Sequence, residues 1–276
     1  MDSFRTESFT GNDMEILVCI KRVPDPAENE IRVAPDGSDI ARDDLVYSVN
    51  EWDNYAVEEA VRLVEEQGGT VTVISVDDEQ GEDTIYREMA MGAEEGRLLS
   101  DDAFAGSDGL GTARILAAAA KTGSYDLILT GAQADDGAAQ VGGMLAALLD
   151  WPYASVVNLV EKNGDGTLRI GREIEGGSQE INEIETPCVL SIQTGINEPR
   201  YVGIRGIRKV ASYEIPVLDG AALGIPTDSV GAAAARVRRV GYFVPEQGAG
   251  AEMIEGSIEE MAARIVDLLR AQGGIR

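Results

Sequence analysis

Residues 53–76 read Asp-Asn-Tyr-Ala-Val-Glu-Glu-Ala-Val-Arg-Leu-Val-Glu-Glu-Gln-Gly-Gly-Thr-Val-Thr-Val-Ile-Ser-Val. From Asp53 to Glu66 the apolar residues Tyr55, Ala56, Val57, Ala60, Val61, Leu63 and Val64 recur at helical spacing, and Gly68-Gly69 stops the helix. Thr70 to Val76 then runs apolar and β-branched, the pattern of a strand buried on both faces. A helix feeding such a strand through a glycine turn is half of a βαβ unit, which predicts a parallel sheet covered by helices.

The alternation extends both ways. Ile16 to Val23 reads as a strand before this helix; after it come a helix at Asp83–Met91 closed by Gly92 and a short strand at Arg97–Leu99. An alanine-rich helix at Thr112–Lys121, a strand at Tyr125–Thr130 and a helix at Gly142–Leu149 follow. Beyond Trp151-Pro152 the pattern becomes strands joined by turns: Ala154–Glu161, Leu168–Ile174, Gln179–Ile184 and Pro187–Ile192. Asn163-Gly164-Asp165-Gly166 and Gly176-Gly177 are hairpin signals. An antiparallel extension is therefore fused to the parallel sheet. From about Leu218 periodicity fades until Ser257 and Glu260 form a capping box. There Ile254, Ile258, Met261, Ile265 and Leu268 make an apolar stripe that either folds back or clasps a partner. The polar, aperiodic residues 1–13 are expected to be a disordered extension.

Composition removes whole classes of function. Net charge is −26, from 49 acidic against 23 basic residues, so nucleic acid and anionic membranes are poor partners. Only Lys21, Lys121, Lys162 and Lys209 are lysines, and acidity this diffuse reads as surface adaptation to high salt, where the Debye length shrinks to ~3 Å. With no histidine, triad hydrolases and histidine-zinc sites fall. Cys19 and Cys188 lie far apart in apolar runs and suit buried thiols of a reducing cytosol. No apolar run nears the ~20 residues that span a bilayer, so a cytoplasmic chain without membrane insertion is expected.

Four segments carry candidate chemistry. Thr130 to Gly143 joins a strand end to a helix start, where open parallel sheets bind ligands and free N–H groups meet anions. There Gly137, Gly142 and Gly143 allow close backbone approach to a phosphate, while Asp135 and Asp136 suit ribose hydroxyls or loop orientation. The loop is neither a Walker nor a Rossmann fingerprint. Ser48 to Asp53 leads into the first helix; Asn50 or Asp53 could cap it, and the Trp52 indole could pack on a flat ring or on the core. Cys19 to Arg22 ends the first strand, with Arg22 available to a carboxylate or a phosphate. Lastly, Gly195-Ile196-Asn197-Glu198-Pro199-Arg200-Tyr201 follows the buried-type run Cys188–Ile192, and Pro199 shapes a rigid loop suited to recognition, or a turn in which Arg200 pairs with a carboxylate.

These segments, in this order, resemble the electron-transfer flavoprotein β subunit. The likeness rests on Ile16–Pro26, Ala56–Leu63, Ala90-Met91-Gly92-Ala93, Gly131–Gly143, Leu149-Asp150-Trp151-Pro152, Gly171–Gly177 and Asn197–Tyr201, and covers residues 14 to about 215. It implies an adenine-nucleotide α-hydrolase-like fold at 14–217, with a C-terminal arm and helix at 218–276. The chain would be an electron carrier rather than an enzyme, of a haloarchaeal, acidic type. It would pair with an α subunit holding most contacts to FAD, and itself hold AMP or a second FAD. That nucleotide would meet Cys19, Asn50, Asp53, Val76, Gly131, Gln133, Asp136, Gln140, Val141 and Gly142, with Trp52 near the shared flavin. Ile196, Asn197, Glu198, Arg200 and Lys209 (docking region 194–209) would meet acyl-CoA or other dehydrogenases, and electrons would leave to a quinone oxidoreductase. The Ala139–Gly142 end looks like the electron-bifurcating branch, and the 131–143 loop looks one residue short. The alternative is a free-standing, ATP-binding stress-type α/β domain; it lacks a Gly-x-x-Gly stretch ending in Gly-Ser/Thr and leaves Asn197–Tyr201 unexplained. An adenylating enzyme would need a Ser-Gly-Gly-x-Asp-Ser-type loop that is absent.

Overall fold

The structure, a computed structural model, describes residues 13–134, 137–163, 166–246, 248 and 250–275. Of the expected N-terminal extension only Asp13 falls within it. The chain starts with β1 (Met14–Ile20), a run of seven residues of which six are buried. Met14, Ile16, Val18 and Ile20 join one core cluster and Leu17 and Cys19 the other, so the strand is apolar on both faces because both faces are covered.

A small antiparallel pair, β2 (Arg22–Pro24) and β3 (Tyr47–Val49), precedes α1 (Glu51–Gln67) and β4 (Gly69–Val76). The glycine turn read in the sequence has a steric cause: Gly69 has φ +122°, and any side chain there would strike the Met14 carbonyl where β4 enters the sheet. Then follow α2 (Glu82–Met91), β5 (Glu95–Leu99), α3 (Gly109–Ala120), β6 (Leu127–Gly131) and α4 (Val141–Leu149). Helix α3 starts three residues before the expected Thr112 because the Asp108 carboxylate accepts the Gly111 N–H and caps it. Helix α1 buries Ala56, Val57, Ala60, Val61 and Leu63 on one face of the sheet, while Ile115, Leu116 and Leu145 of α3 and α4 cover the other. Each fully buried valine, leucine or isoleucine side chain among them contributes ~1.5–3 kcal/mol.

The extension forms as expected: β7 (Tyr153–Lys162), β8 (Thr167–Ile174) and β9 (Ser178–Glu185) are consecutive antiparallel neighbours. β10 (Cys188–Ile192) then returns to the sheet and pairs in parallel with both β6 and β7. A seven-residue helix, α5 (Ile204–Val210), was not apparent in the sequence pattern. It leads to β11 (Val217–Leu218) and α6 (Gly231–Ala234). The nine strands stand in the order β11-β5-β4-β1-β6-β10-β7-β8-β9, parallel from β11 through β7.

Residues 13–31 and 42–239 form one compact unit. The segment after Leu218, expected in the arm, is tied to this unit. The Gly220 N–H donates to Asp101 (2.9 Å), Arg114 to the Ser229 carbonyl (2.7 Å) and the Arg236 N–H to Asp108 (2.7 Å). The second unit comprises Arg32–Ala41 and residues 240–276, joined where the Tyr242 N–H meets the Gly37 carbonyl (2.8 Å). Its helix, α7 (Ile258–Ala271), carries the expected Ser257/Glu260 capping box. None of its described residues is buried, and Ile258 is 77% exposed.

Candidate functional site

From β1 the chain steps outward to β4 and β5 on one side, while β6 and β10 lie on the other, so the carboxyl ends of β1 and β6 flank a topological switch point. Crevices at such points are the ligand sites of open α/β sheets. Asp53, in the first turn of α1, bridges the two strand ends: its Oδ2 accepts the Lys21 N–H (2.8 Å) and its Oδ1 the Gly131 N–H (2.9 Å). Burial pushes the Asp53 carboxyl up to about 7, against the lowering effect of hydrogen bonds from Asn50, Gly131 and Lys21. Asn50 stands at the helix N-cap, yet its side chain makes no cap bond. Its amide instead donates to the Gln133 carbonyl (2.9 Å), fastening the loop after β6. Among the described residues the Asn50 Oδ1 is buried without a hydrogen-bond partner.

Around this crevice the other expected residues divide. Gln133 and Gln140 are exposed on the loop, Val141 opens α4, and Val76 ends β4 half-buried. The Cys19 side chain lies in the core below, where burial raises its thiol well above the ordinary range, so only its backbone faces the strand ends. Gly142 is buried, and the space a side chain would need is held by Ser191 Oγ and Thr130 Oγ1, which are hydrogen-bonded to each other (2.8 Å). Its smallness thus serves the close packing of α4 on β6 and β10. Gly143 packs its backbone on the Tyr153 ring, and Gly137 turns back to the Ala134 carbonyl. Asp135 and Asp136 lie outside the described residues. Arg22 meets carboxylates: Asp77 (2.7 Å) and Asp78 (3.1 Å), with its guanidinium 4.5 Å above the Tyr47 ring.

Trp52 sits half-buried beside Asp53, its indole N–H donating to Gln193 Oε1 (3.3 Å), and Gln193 donates to Glu173 (3.1 Å). Gln193 lies at the base of the second expected site, the loop after β10. Gly195 turns the chain at φ +83°, and Ile196 packs half-buried against the α1-side core. Asn197 donates to the Tyr55 carbonyl (3.1 Å) and to Glu59 (3.0 Å). The Arg200 backbone N–H and Nε both meet Glu58 Oε2 (3.0 and 2.8 Å), while Nη1 and Nη2 reach Glu65 (2.7 and 2.9 Å). These contacts hold the Arg200 guanidinium well above its usual range, Glu65 and Glu58 being the main causes. Arg200 and Asn197 therefore pin the loop to α1 from inside, whereas Glu198 and Lys209 are exposed.

The sequence reading missed Glu58, Glu59 and Gln193. A signal existed: Glu58 and Glu59 stand amid the apolar stripe of α1 and are 4% and 6% exposed, and acids so placed require partners. Among the described residues no group of three metal-ligating side chains comes together, and no helix is long and apolar enough to cross a membrane.

Comparison with known proteins adds a family. The electron transfer flavoprotein domain matches residues 38–223. The chain is similar to the electron transfer flavoprotein subunit beta of Methylophilus methylotrophus, 38% identical over 262 residues that cover 93% of this chain and 98% of that protein. It is 34% identical to the caffeyl-CoA reductase-Etf complex subunit CarD of Acetobacterium woodii over 93% of this chain and 98% of that one. Protein FixA of Azotobacter vinelandii is 36% identical over 78% of both chains.

Proposed function

Because the chain belongs to the electron transfer flavoprotein family and is an electron-carrier subunit of β type rather than an enzyme, we propose that its switch-point crevice holds a nucleotide, AMP or a second FAD, while Trp52 borders an FAD shared with an α subunit. The observation that carries the reading is the Asn50 Oδ1, buried and unpartnered among the described residues, beside Asp53 and the Gly131–Gly142 loop. A nucleotide offers amino and hydroxyl donors that such an acceptor requires. Asn50, Gln133, Gln140, Val141 and Gly142 would hold the base and phosphate, and Asp136 the ribose; Cys19, Val76 and Gly131 would contribute backbone. The N-terminus of α4 suits the phosphate.

When bound, FAD supplies reversible uptake and release of electrons. The polypeptide's part is to orient it, to exclude water and to bring partners close. Electrons would come from acyl-CoA or other dehydrogenases at the loop Ile196–Arg200, which includes Asn197 and Glu198 and has Arg200 and Lys209 as its charged flank, and leave to a quinone oxidoreductase. The chain works in the cytoplasm, and its arm at 240–276, with the exposed stripe of α7, clasps the α subunit. The charge of −26 adapts the surface to high salt.

Co-expression with the α subunit tests the reading. A yellow heterodimer is expected, and acid-released nucleotide distinguishes one FAD plus AMP from two FAD. A colourless, stable monomer that binds ATP would refute it. Ile196→Ala is expected to slow electron transfer from a dehydrogenase with flavin content unchanged; lost flavin would show that the loop serves the cofactor instead.

A further inference from the structure

Trp52 is fixed at both ends of its side chain. At the base, Gly131 has no room for a side chain of its own, since a Cβ there would strike the Trp52 Cβ and the Asp53 carboxylate, so the root of the indole packs against the end of β6. At the tip, the indole N–H donates to Gln193 Oε1 (3.3 Å), which also accepts the Thr194 N–H (3.2 Å), while Gln193 Nε2 donates to Glu173 Oε2 (3.1 Å). These partners dictate which way the amide points. Turned over, Nε2 would oppose two N–H donors and Oε1 a carboxylate. The backbone around Gln193 is held as well. Its N–H donates to the Val157 carbonyl (2.8 Å) beside the irregularity in the β7–β10 register, where Val156 stands at φ +58°, and the Ile192 carbonyl accepts the Ala132 N–H (2.8 Å) from the loop after β6. A β-branched residue keeps such a backbone only where its surroundings enforce it.

Packing does not call for this arrangement. Trp52 and Gln193 are half-buried and Glu173 is exposed, so water at the rim would satisfy the indole N–H, the amide and the carboxylate nearly as well. What the oriented chain adds is a fixed plane for the ring, and a fixed plane serves a flat partner that stacks on it. We infer that Gln193 is a positioning residue: held by Glu173 and Thr194, it sets the plane of the Trp52 indole, so that the face bordering the shared flavin is preorganised before the flavin binds. This deepens the carrier reading and rests on it for the flavin. Gln193 itself needs no contact with the cofactor and acts through Trp52. Preorganisation of this kind removes an ordering cost from binding and limits the wobble of the ring, so its loss is read in the geometry of the flavin site more than in stability.

The test uses the α/β heterodimer assembled from this chain, carrying isotopically labelled tryptophan, and an unlabelled α subunit, with the indole N–H signals of Trp52 and Trp151 told apart by Trp52→Phe. In the heterodimer stripped of flavin, solvent exchange of the Trp52 indole N–H should quicken about fivefold in Gln193→Leu, as expected for one lost hydrogen bond, while that of Trp151 stays as it was. With flavin bound, the same variant should raise flavin emission and change its visible circular dichroism, with the melting temperature within about 4 °C of the wild type. Gln193→Glu keeps an acceptor for the indole but sets a carboxylate against Glu173, and should free the ring in the same way; adding Glu173→Gln returns a donor to that position and should restore slow exchange. Unchanged indole exchange in a yellow Gln193→Leu heterodimer overturns the inference. So does freed exchange that leaves flavin emission and dichroism unaltered, or a Glu173→Gln change that rescues nothing. A colourless heterodimer of the wild-type chains refutes the carrier reading instead, and the exchange measurement without flavin still decides whether Gln193 holds the indole.

Discussion

Glu88 offers a quantitative test of how the helices beneath the loop are packed. It is fully buried on α2, and among the described residues neither carboxylate oxygen has a hydrogen-bond partner. Arg87 supplies a cation 3.7 Å from Oε1 but is half exposed, while Asp53 and Glu58 of α1 add repulsion. Burial above all pushes the carboxyl up to about 8 from an ordinary 4.5. The folded state therefore holds a proton that the unfolded chain releases, and linkage gives the sign: stability is complete below about pH 4.5 and falls as pH rises towards 8. Each pH unit in that window costs ~1.4 kcal/mol for one proton, an upper limit of ~5 kcal/mol across it; with relaxation and the Arg87 pair, about 2–4 kcal/mol is the realistic range.

Glu88→Gln should abolish this part of the slope, although its buried amide adds a pH-independent cost of ~1–3 kcal/mol. Glu88→Met removes the polar atoms altogether and should exceed the wild type at pH 8.5 by about 2 kcal/mol, or ~4–8 °C in melting temperature. Asp53, pushed up to about 7, titrates in the same window and repels Glu88, so only the part of its titration independent of Glu88 cancels in the difference between the three proteins. Urea unfolding followed by fluorescence of Trp52 and Trp151, at half-unit steps from pH 5.5 to 8.5 and fixed salt, reads the slopes directly. Parallel profiles for wild type and Glu88→Gln would refute the reasoning, because Glu88 would then hold the same charge in both states.

Two other outcomes follow from the charges. Arg200→Lys keeps the charge but loses the fork that grips Glu58 and Glu65, so it should cost about 1–2 kcal/mol and speed amide exchange across residues 195–201 without loss of flavin; unchanged exchange would mean that the loop holds its shape by Pro199 and packing alone. Raising KCl from 0.1 M to 2 M should raise the melting temperature, since the self-repulsion of −26 charges is screened; a flat or falling curve would detach the acidity from salt adaptation.

What was legible in the sequence was what period and punctuation encode. The helix at 51–67, the turn at Gly68-Gly69 and the strand after it differ from expectation by no more than two residues at either end, because apolar spacing and a sterically required glycine specify them locally. β10 was legible as a strand but not in its place: hairpin signals identify partners only when they are consecutive, and Cys188–Ile192 passes over three strands to pair with β6. Its apolar run, interrupted only at Ser191 and unlike the alternation of β9, was the local sign of a strand covered on both faces. Helix α5 was hidden for the opposite reason. Seven residues with a glycine at the third position have little helical preference of their own, and the glycine is there because the Ala90 carbonyl of α2 leaves no room for anything larger. Arg200 was visible as a charged loop residue, but its acceptors lie 142 and 135 positions away. Only the oddity of Glu58 within an apolar stripe hinted that a cation must return to it. Once Glu58 and Glu65 claim that cation, the loop is held to α1 and the charge of Arg200 is neutralised where it stands.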